Sequence, residues 1–335
     1  MSSLGLALDA LASETGLSGV VRVDHEGRVE VTKAYGLAHR GYAIPNEVET
    51  RFALASGTKG LTALAVVALI EDGVLELMTP ARALLGDDLP LVGGDVTVEH
   101  LLAHRSGIGD YLDEELDLDL DEYLMPVPVH ELARTEDYLA VLDGHEAKFA
   151  PGERFGYCNG GYVLLALIAE RASGIAFHEL VRQRVCEPAG MGDTAFLRSD
   201  ELPDRTAVGY LEVGGVWRSN VFHLPVRGSG DGGIYSTVED IRSLWAALFE
   251  GRIVSMDWVA EMRRPRSEVP SQSKRYGLGF WLHPTSDVVL LEGMDAGVSF
   301  YSLHDPTSDT TLTVVSNTSG GAWPIARFLE ERFAA

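Results

Sequence analysis

Apolar positions fall into three regimes along the chain. Val20 to Val23 and Val29 to Val31 are short β-branched runs on either side of Asp24-His25-Glu26-Gly27, which predicts a hairpin. From Arg51 to about residue 190, Leu and Ala dominate. Within that stretch Thr58 to Asp72 reads as a helix stopped by Gly73, and Tyr162 to Ala172 as one stopped by Ser173-Gly174. Strand character returns in Val288 to Leu291, Ser299 to Leu303 and Thr310 to Ser316, with His304-Asp305-Pro306 as a turn. Met1 to Gly16 and Trp323 to Phe333 read as helices at the two ends.

Strands at both ends with helices between cannot make two successive domains if the end strands share a sheet. The expected fold is therefore α+β, an antiparallel sheet formed from N- and C-terminal strands and flanked by the terminal helices, with an inserted, mostly helical lobe. One domain is expected over residues 1–335, with 1–50 and about 225–335 in the sheet lobe and about 51–224 in the helical lobe. The longest apolar runs, Leu61 to Ile70 and Tyr162 to Ala169, fall short of the roughly 20 residues a membrane helix needs, so they read as buried core helices.

Charge narrows the partners. Lys and Arg number 27 against 50 Asp and Glu, a formal charge of −23 that repels phosphate backbones and anionic lipid, so neither nucleic acid nor membrane is an expected partner. Eight acidic residues crowd into Asp110 to Tyr123, interleaved with Leu, which predicts an exposed loop or flap. The first residues lack a basic cluster and a continuous apolar stretch, so a cytoplasmic location is expected unless an export signal has been removed. The two cysteines, Cys158 and Cys186, sit in no paired motif.

Ser56-Gly57-Thr58-Lys59 is a Ser-x-x-Lys tetrad. Ser271-Gln272-Ser273-Lys274 satisfies the same pattern, but only Ser56 stands between an apolar stretch, Phe52 to Ala55, and an apolar helix. Residues three apart on a helix share a face about 5–6 Å apart, which lets the Lys59 amine reach the Ser56 hydroxyl. Burial in that helix would lower the lysine pKa and allow it to act as a base, while the helix N-terminus favours charge developing on Ser56 and offers N–H groups to an oxyanion. Tyr157-Cys158-Asn159 lies in a Gly-rich turn entering the second long helix. Tyr157 could shuttle a proton if Lys59 depresses its pKa, and Asn159 could bind an amide and hold Lys59.

Together, Ser56-x-x-Lys59 and Tyr157-x-Asn159 resemble the class C beta-lactamase-like branch of the serine beta-lactamase and penicillin-binding-protein family, which includes esterases, D-aminopeptidases and D,D-peptidases. Further stretches resemble the family in order: Arg51 to Ala55, Glu71 to Leu77, His100 to Gly107, Glu187 to Met191, Gly232 to Thr237 and Tyr276 to Phe280. The resemblance implies the fold already inferred and an acyl-enzyme on Ser56 without metal or other cofactor. It also implies oxyanion donors in the backbone N–H groups of Ser56 and Met294.

The family's third element, Lys-Thr-Gly or His-x-Gly, aligns with Leu291-Glu292-Gly293. The glycine is kept and the cation is lost. Cys158 also replaces the usual serine or alanine. Without that cation, and with Glu292 and Asp295 adjacent, the site is expected to be poor for anions such as penicillins and to favour neutral or cationic acyl groups. The expected catalytic residues are thus Ser56, Lys59 and Tyr157, and the expected substrate contacts Asn159, Glu292, Gly293 and Met294. The expected activity is that of an esterase or D-amino-acyl peptidase or amidase on a small ester, amide or peptide. The alternatives are a true beta-lactamase or penicillin-binding protein, and a catalytically silent scaffold of the same fold. His100 and His104 have zinc-ligand spacing but lack the glutamate that such sites place after the first histidine, and Gly228 to Gly233 lacks the lysine of a phosphate loop and reads as a tight turn near the site.

Overall fold

The structure is a computed structural model that describes residues 3–116 and 119–333. An antiparallel sheet of eight strands organises it. β1 (Gly19–His25) and β2 (Arg28–Tyr35) come from the N-terminal end; β3 (Ser267–Val269), β4 (Lys274–Tyr276), β5 (Trp281–Leu282), β6 (Val289–Asp295), β7 (Val298–Asp305) and β8 (Thr310–Ser316) come from the C-terminal end. Their order is β2-β1-β8-β7-β6-β5-β4-β3, so the two ends of the chain meet where β1 pairs with β8, Val21 opposite Val314. The predicted hairpin closes through Glu26 and Gly27, both with left-handed φ (49° and 70°), the turn geometry that follows the twist of two adjacent strands. Strands β3 to β5 escape the sequence pattern because two or three residues are too few to show alternation.

Both faces of the sheet are buried. Alternate residues of the central strands go to opposite layers, Leu290, Leu303 and Val314 to one and Val289, Leu291 and Val315 to the other. The first layer is covered by α1 (Ser3–Thr15) and by the last helix of the chain (Trp323–Phe333) through Leu4, Leu8, Ile325 and Leu329. Met1, Ser2 and the last two residues lie outside the described residues.

The second layer packs against α2 (Thr58–Glu71), α3 (Asn159–Ser173) and α4 (Val238–Phe249). Every residue of α2 from Thr58 to Leu69 is buried, as expected for a helix apolar on all sides, and Lys59 is its one charged residue there. Gly73 (φ 74°) and Gly174 (φ 69°) follow α2 and α3 in the left-handed conformation that ends helices. With the final helix as α5, no single helix among the described residues is long and apolar enough to cross a membrane.

Trp245 of α4 is fully buried between these layers, and its indole N–H donates to Ser302 Oγ of β7 at 2.9 Å. Trp245→Ala is expected to lower unfolding free energy by about 3–5 kcal/mol. Urea denaturation measures this, and a loss under about 1 kcal/mol would show that the two layers do not depend on that contact.

Candidate active site

Ser56 sits in a single 3₁₀ turn, Ala55–Gly57, that runs directly into α2. The turn is tied down on several sides. The Leu54 N–H donates to Ile234 O at 2.9 Å, and Thr58 Oγ1 donates to Ala55 O at 2.7 Å while accepting the Ile234 N–H at 3.2 Å. Ala55 itself holds φ at +46°, a conformation rare for a residue with a side chain, so this surrounding network must hold it there. On the other side stands β6, where a Cβ on Gly293 would come within 2.5 Å of both Leu54 O and Ser56 N. Only glycine fits, and that fit lets the strand lie against the backbone of Ser56. β5 pairs with β6 only as far as Leu290, so the strand edge from Leu291 to Asp295 is left facing the cleft.

The Lys59 amine lies 2.8 Å from each of three oxygens: Ser56 Oγ, Asn159 Oδ1 and Asp231 O. Two of these are carbonyl oxygens, which can only accept. The third is a hydroxyl, which can donate. An uncharged amine satisfies all three by donating to the carbonyls and accepting from the hydroxyl, and an ammonium satisfies them by donating to each, so it is burial that favours the uncharged form. Burial lowers the Lys59 pKa, while Asp231, Glu114, Asp295 and Asp110 oppose that shift.

Asn159 is the first residue of α3. Its side-chain amide donates to Leu112 O at 3.1 Å and to Glu114 Oε1 at 2.9 Å, which turns its carbonyl toward Lys59. Its backbone N–H and that of Gly160 donate to the Asp110 carboxylate at 2.6 and 2.8 Å. The inner part of the acidic segment is therefore a wall of the site rather than an exposed flap. Tyr111 also bonds the Asp231 carboxylate, while Asp113 and Glu115 pair with Lys148 and Arg154. The expectation of an exposed loop fails for Asp110 and Asp113, which backbone N–H groups and a lysine receive, and it holds for Glu114, Glu115, Asp119 and Glu122, which stay exposed although the first two also bond to the site or its rim. Asp117, also counted in the acidic run, lies outside the described residues.

The Tyr157 ring centre is 4.9 Å from the Lys59 amine, and its phenol lines the same groove as Ser56. The expected depression of its pKa is not found. Burial pushes the phenol well above its usual value, with Glu114, Tyr276 and Glu292 adding to the effect. It therefore rests as a neutral hydroxyl able both to donate and to accept. Beneath it lies His104, fully enclosed, whose Nδ1 accepts the Cys158 N–H at 3.1 Å and whose ring centre is 4.3 Å from that of Tyr157. Burial holds this imidazole neutral, its pKa well below the usual histidine value. His100 instead caps its own helix through Thr97, so the two histidines share no ligand geometry; among the described residues no group of three potential ligands could hold a metal.

Two corrections concern the third element. The Leu291 side chain goes into the core against Gly60 and Phe280, so no cation could stand there without emptying that packing. Glu292 is not a free anion, because its Oε2 lies 2.5 Å from Lys274 Nζ. The other Ser-x-x-Lys tetrad is broken up by Ser273 (φ 51°), and its lysine is this partner of Glu292. Met294 is exposed on the same strand edge.

Sequence reasoning missed Asp110, Glu114, Asp231, His104 and Lys274 as site residues, and placed Asp295 only as a charge beside the third element. Asp231 had a visible signal, the Gly-rich turn from Gly228 to Gly233, which does lie at the site as read. The others reach it from segments distant in the chain. Burial raises Asp110 to about 6 and Asp295 to about 7, with repulsion from Asp231 contributing to both.

Comparison with known proteins agrees with this architecture. The family model described as Beta-lactamase matches residues 7–330. The esterase EstB of Burkholderia gladioli is 31% identical over 313 residues, covering 83% of this chain and 79% of the relative. The D-aminopeptidase of Cereibacter sphaeroides is 29% identical over 327 residues, 94% of this chain but 59% of its own length. The crystal structure of a penicillin-binding protein from Bacillus halodurans superposes with a TM-score of 0.90 at 35% identity, covering 97% of this chain and all of that one.

A raised carboxyl pKa penalises the folded state once the group must ionise. For Asp295 that penalty grows as pH rises from about 4, where the unfolded chain ionises, to about 7. Asp295→Asn is therefore expected to raise the melting temperature at pH 8 and to leave it unchanged at pH 4; an equal shift at both would show that the carboxyl is not desolvated. The chain belongs to the beta-lactamase family and is one of its serine hydrolases.

Proposed function

We propose that this enzyme hydrolyses small esters and amino-acyl amides or peptides through an acyl-enzyme on Ser56. The observation that carries the reading is the Lys59 amine, buried and 2.8 Å from the Ser56 hydroxyl, with Asn159 and Asp231 holding it there. In the proposed reaction the Ser56 hydroxyl gives its proton to the Lys59 amine as Oγ attacks the substrate carbonyl. The backbone N–H groups of Ser56 and Met294 receive the oxyanion. Tyr157 passes a proton from Lys59 to the departing alcohol or amine, and water then reverses the route to release the acid.

Two spaces meet at Ser56. One is a closed pocket of about 80 Å³ lined by Leu112, Met125, Val221, Leu224, Asp231 and Asp295. The other is a groove of about 1110 Å³ along Tyr157, Trp281, Lys274 and Glu292. The proton donor Tyr157 faces the groove, so the leaving group belongs there and the acyl chain in the pocket. That pocket mixes apolar side chains with neutral polar ones such as Tyr111, Asn159 and Asn220, and holds two acids but no lysine or arginine, which supports neutral or cationic acyl groups over the anionic acyl group of an opened penicillin. The likeness to an esterase and a D-aminopeptidase supports the same class.

Ser56→Ala is expected to cut ester turnover by at least about a thousandfold while leaving the protein folded. A screen with short-chain esters, D-alanyl peptides and a chromogenic cephalosporin tests this, and undiminished turnover by the variant would refute the acyl-enzyme. Of two matched esters, the one with an ammonium on its acyl chain is expected to show the higher kcat/KM than the one with a carboxylate. Faster turnover of the anionic ester would overturn the assignment of the pocket.

A further inference from the structure

Tyr157 stands on a loop rather than in a helix or strand, and one buried residue straddles it. The Gly156 N–H donates to His104 O at 2.8 Å and the Cys158 N–H donates to His104 Nδ1 at 3.1 Å, so the residues before and after Tyr157 are both held by His104. The imidazole also packs against the Tyr157 ring, with centres 4.3 Å apart and planes at 32°. The earlier part of the loop is tied to the same turn at wider intervals. The Lys148 N–H donates to Gly107 O at 2.7 Å and the Gly152 N–H to Arg105 O at 2.8 Å. His104 is thus the anchor nearest to the phenol.

Three features separate this residue from an ordinary core side chain. Its Nδ1 accepts a backbone N–H, so the ring proton sits on Nε2, and that nitrogen is buried without a hydrogen-bond partner among the described residues. An unpaired buried donor is costly, and an apolar ring of similar size would avoid the cost. Its backbone is left-handed (φ 53°), a conformation uncommon for a residue with a side chain. From that conformation a single residue offers the loop both a carbonyl and a ring nitrogen. Finally, the imidazole is itself wedged against Tyr162 and Tyr276, each with its ring centre 4.9 Å away. What an apolar ring could not do is accept the Cys158 N–H, and that contact lies one residue from the proton donor.

We infer that His104 is a positioning residue for Tyr157, setting through its carbonyl and its Nδ1 where the phenol stands relative to the departing group. This rests on the reading of Ser56 as nucleophile and of Tyr157 as proton donor. His104 is enclosed and lines neither of the two spaces that meet at Ser56, so it acts through the tyrosine and not on the substrate. A proton donor must hold its hydroxyl within hydrogen-bond reach of the atom it protonates. A displaced Tyr157 therefore slows substrates whose leaving group needs a proton and spares those whose leaving group does not.

The test compares ethyl butyrate with p-nitrophenyl butyrate, which share an acyl group. Ethoxide leaves only as a proton arrives, whereas nitrophenolate leaves without one. In His104→Phe, which keeps a ring and deletes the acceptor, kcat/KM for the ethyl ester is expected to fall about tenfold more than for the nitrophenyl ester. His104→Asn restores an acceptor and tolerates left-handed backbone, and is expected to recover most of that loss. The ratio of the two esters in one preparation does not depend on how much of the variant is folded, so lost stability alone leaves it unchanged. If the phenylalanine variant yields no folded protein, His104→Leu, also without an acceptor, gives the same ratio. In a Tyr157→Phe background His104→Phe is expected to change the ratio no further. A ratio that keeps its wild-type value in His104→Phe while Tyr157→Phe shifts it, or one that His104→Asn does not restore, overturns the inference. If Tyr157→Phe itself leaves the ratio unchanged, the reading of Tyr157 as proton donor fails instead, so the two failures are distinct.

Discussion

A buried amine within 2.8 Å of one hydroxyl and two carbonyl oxygens is the interaction around which this molecule is arranged. Each contact comes from a different part of the chain: Ser56 from the turn before α2, Asn159 from the start of α3, and Asp231 from a Gly-rich turn. Bringing them together requires α2 to be buried on every side and the two ends of the chain to build one sheet behind it. The steric fit of Gly293 against the backbone of Ser56 completes the enclosure. The large core is therefore what withdraws Lys59 from water, and that withdrawal makes the lysine a base in the proposed reaction.

The surroundings of that amine are mixed in effect. Four carboxyl groups act on Lys59, and each favours its charged form. Their own burial weakens the opposition, since Asp110, Asp231 and Asp295 are all pushed toward the neutral acid. Tyr157 is held neutral as well. Burial thus drives both the Lys59 amine and the Tyr157 phenol toward their uncharged forms, the resting state from which the proposed proton transfers would start.

Much of this was legible from local pattern. The hairpin around Glu26-Gly27, the apolar run of α2 with its Gly73 stop, and the β-branched stretches of β6 to β8 are all encoded within windows of fewer than 20 residues. Ser56 and Lys59 could be paired because helical spacing is itself local information, and Tyr157 and Asn159 stood out in a Gly-rich turn entering a helix and joined that tetrad in carrying the family resemblance. What eluded the sequence was contact across distance. Nothing in Asp110 to Glu115 shows that backbone N–H groups of Asn159 and Gly160 await one of those acids, because that depends on how a loop folds over a helix 50 residues later. Lys274 was set aside as part of a false motif, and rightly so, yet the twist of three very short strands carries it to the site. The depressed pKa on which the shuttling role of Tyr157 was made conditional is not found, for a related reason. Proximity to Lys59 was foreseeable, whereas the depth of burial was not.

The charge state of Lys59 is the most direct point of attack. Titration of its Nζ by nitrogen NMR on the protein labelled with ¹⁵N at lysine side chains would follow that amine alone, with Lys59→Met to assign the signal. The account predicts a midpoint below the 10.5 of an ordinary lysine. A midpoint at or above 10.5 would mean that the amine stays charged beside Ser56, which would contradict its role as the base.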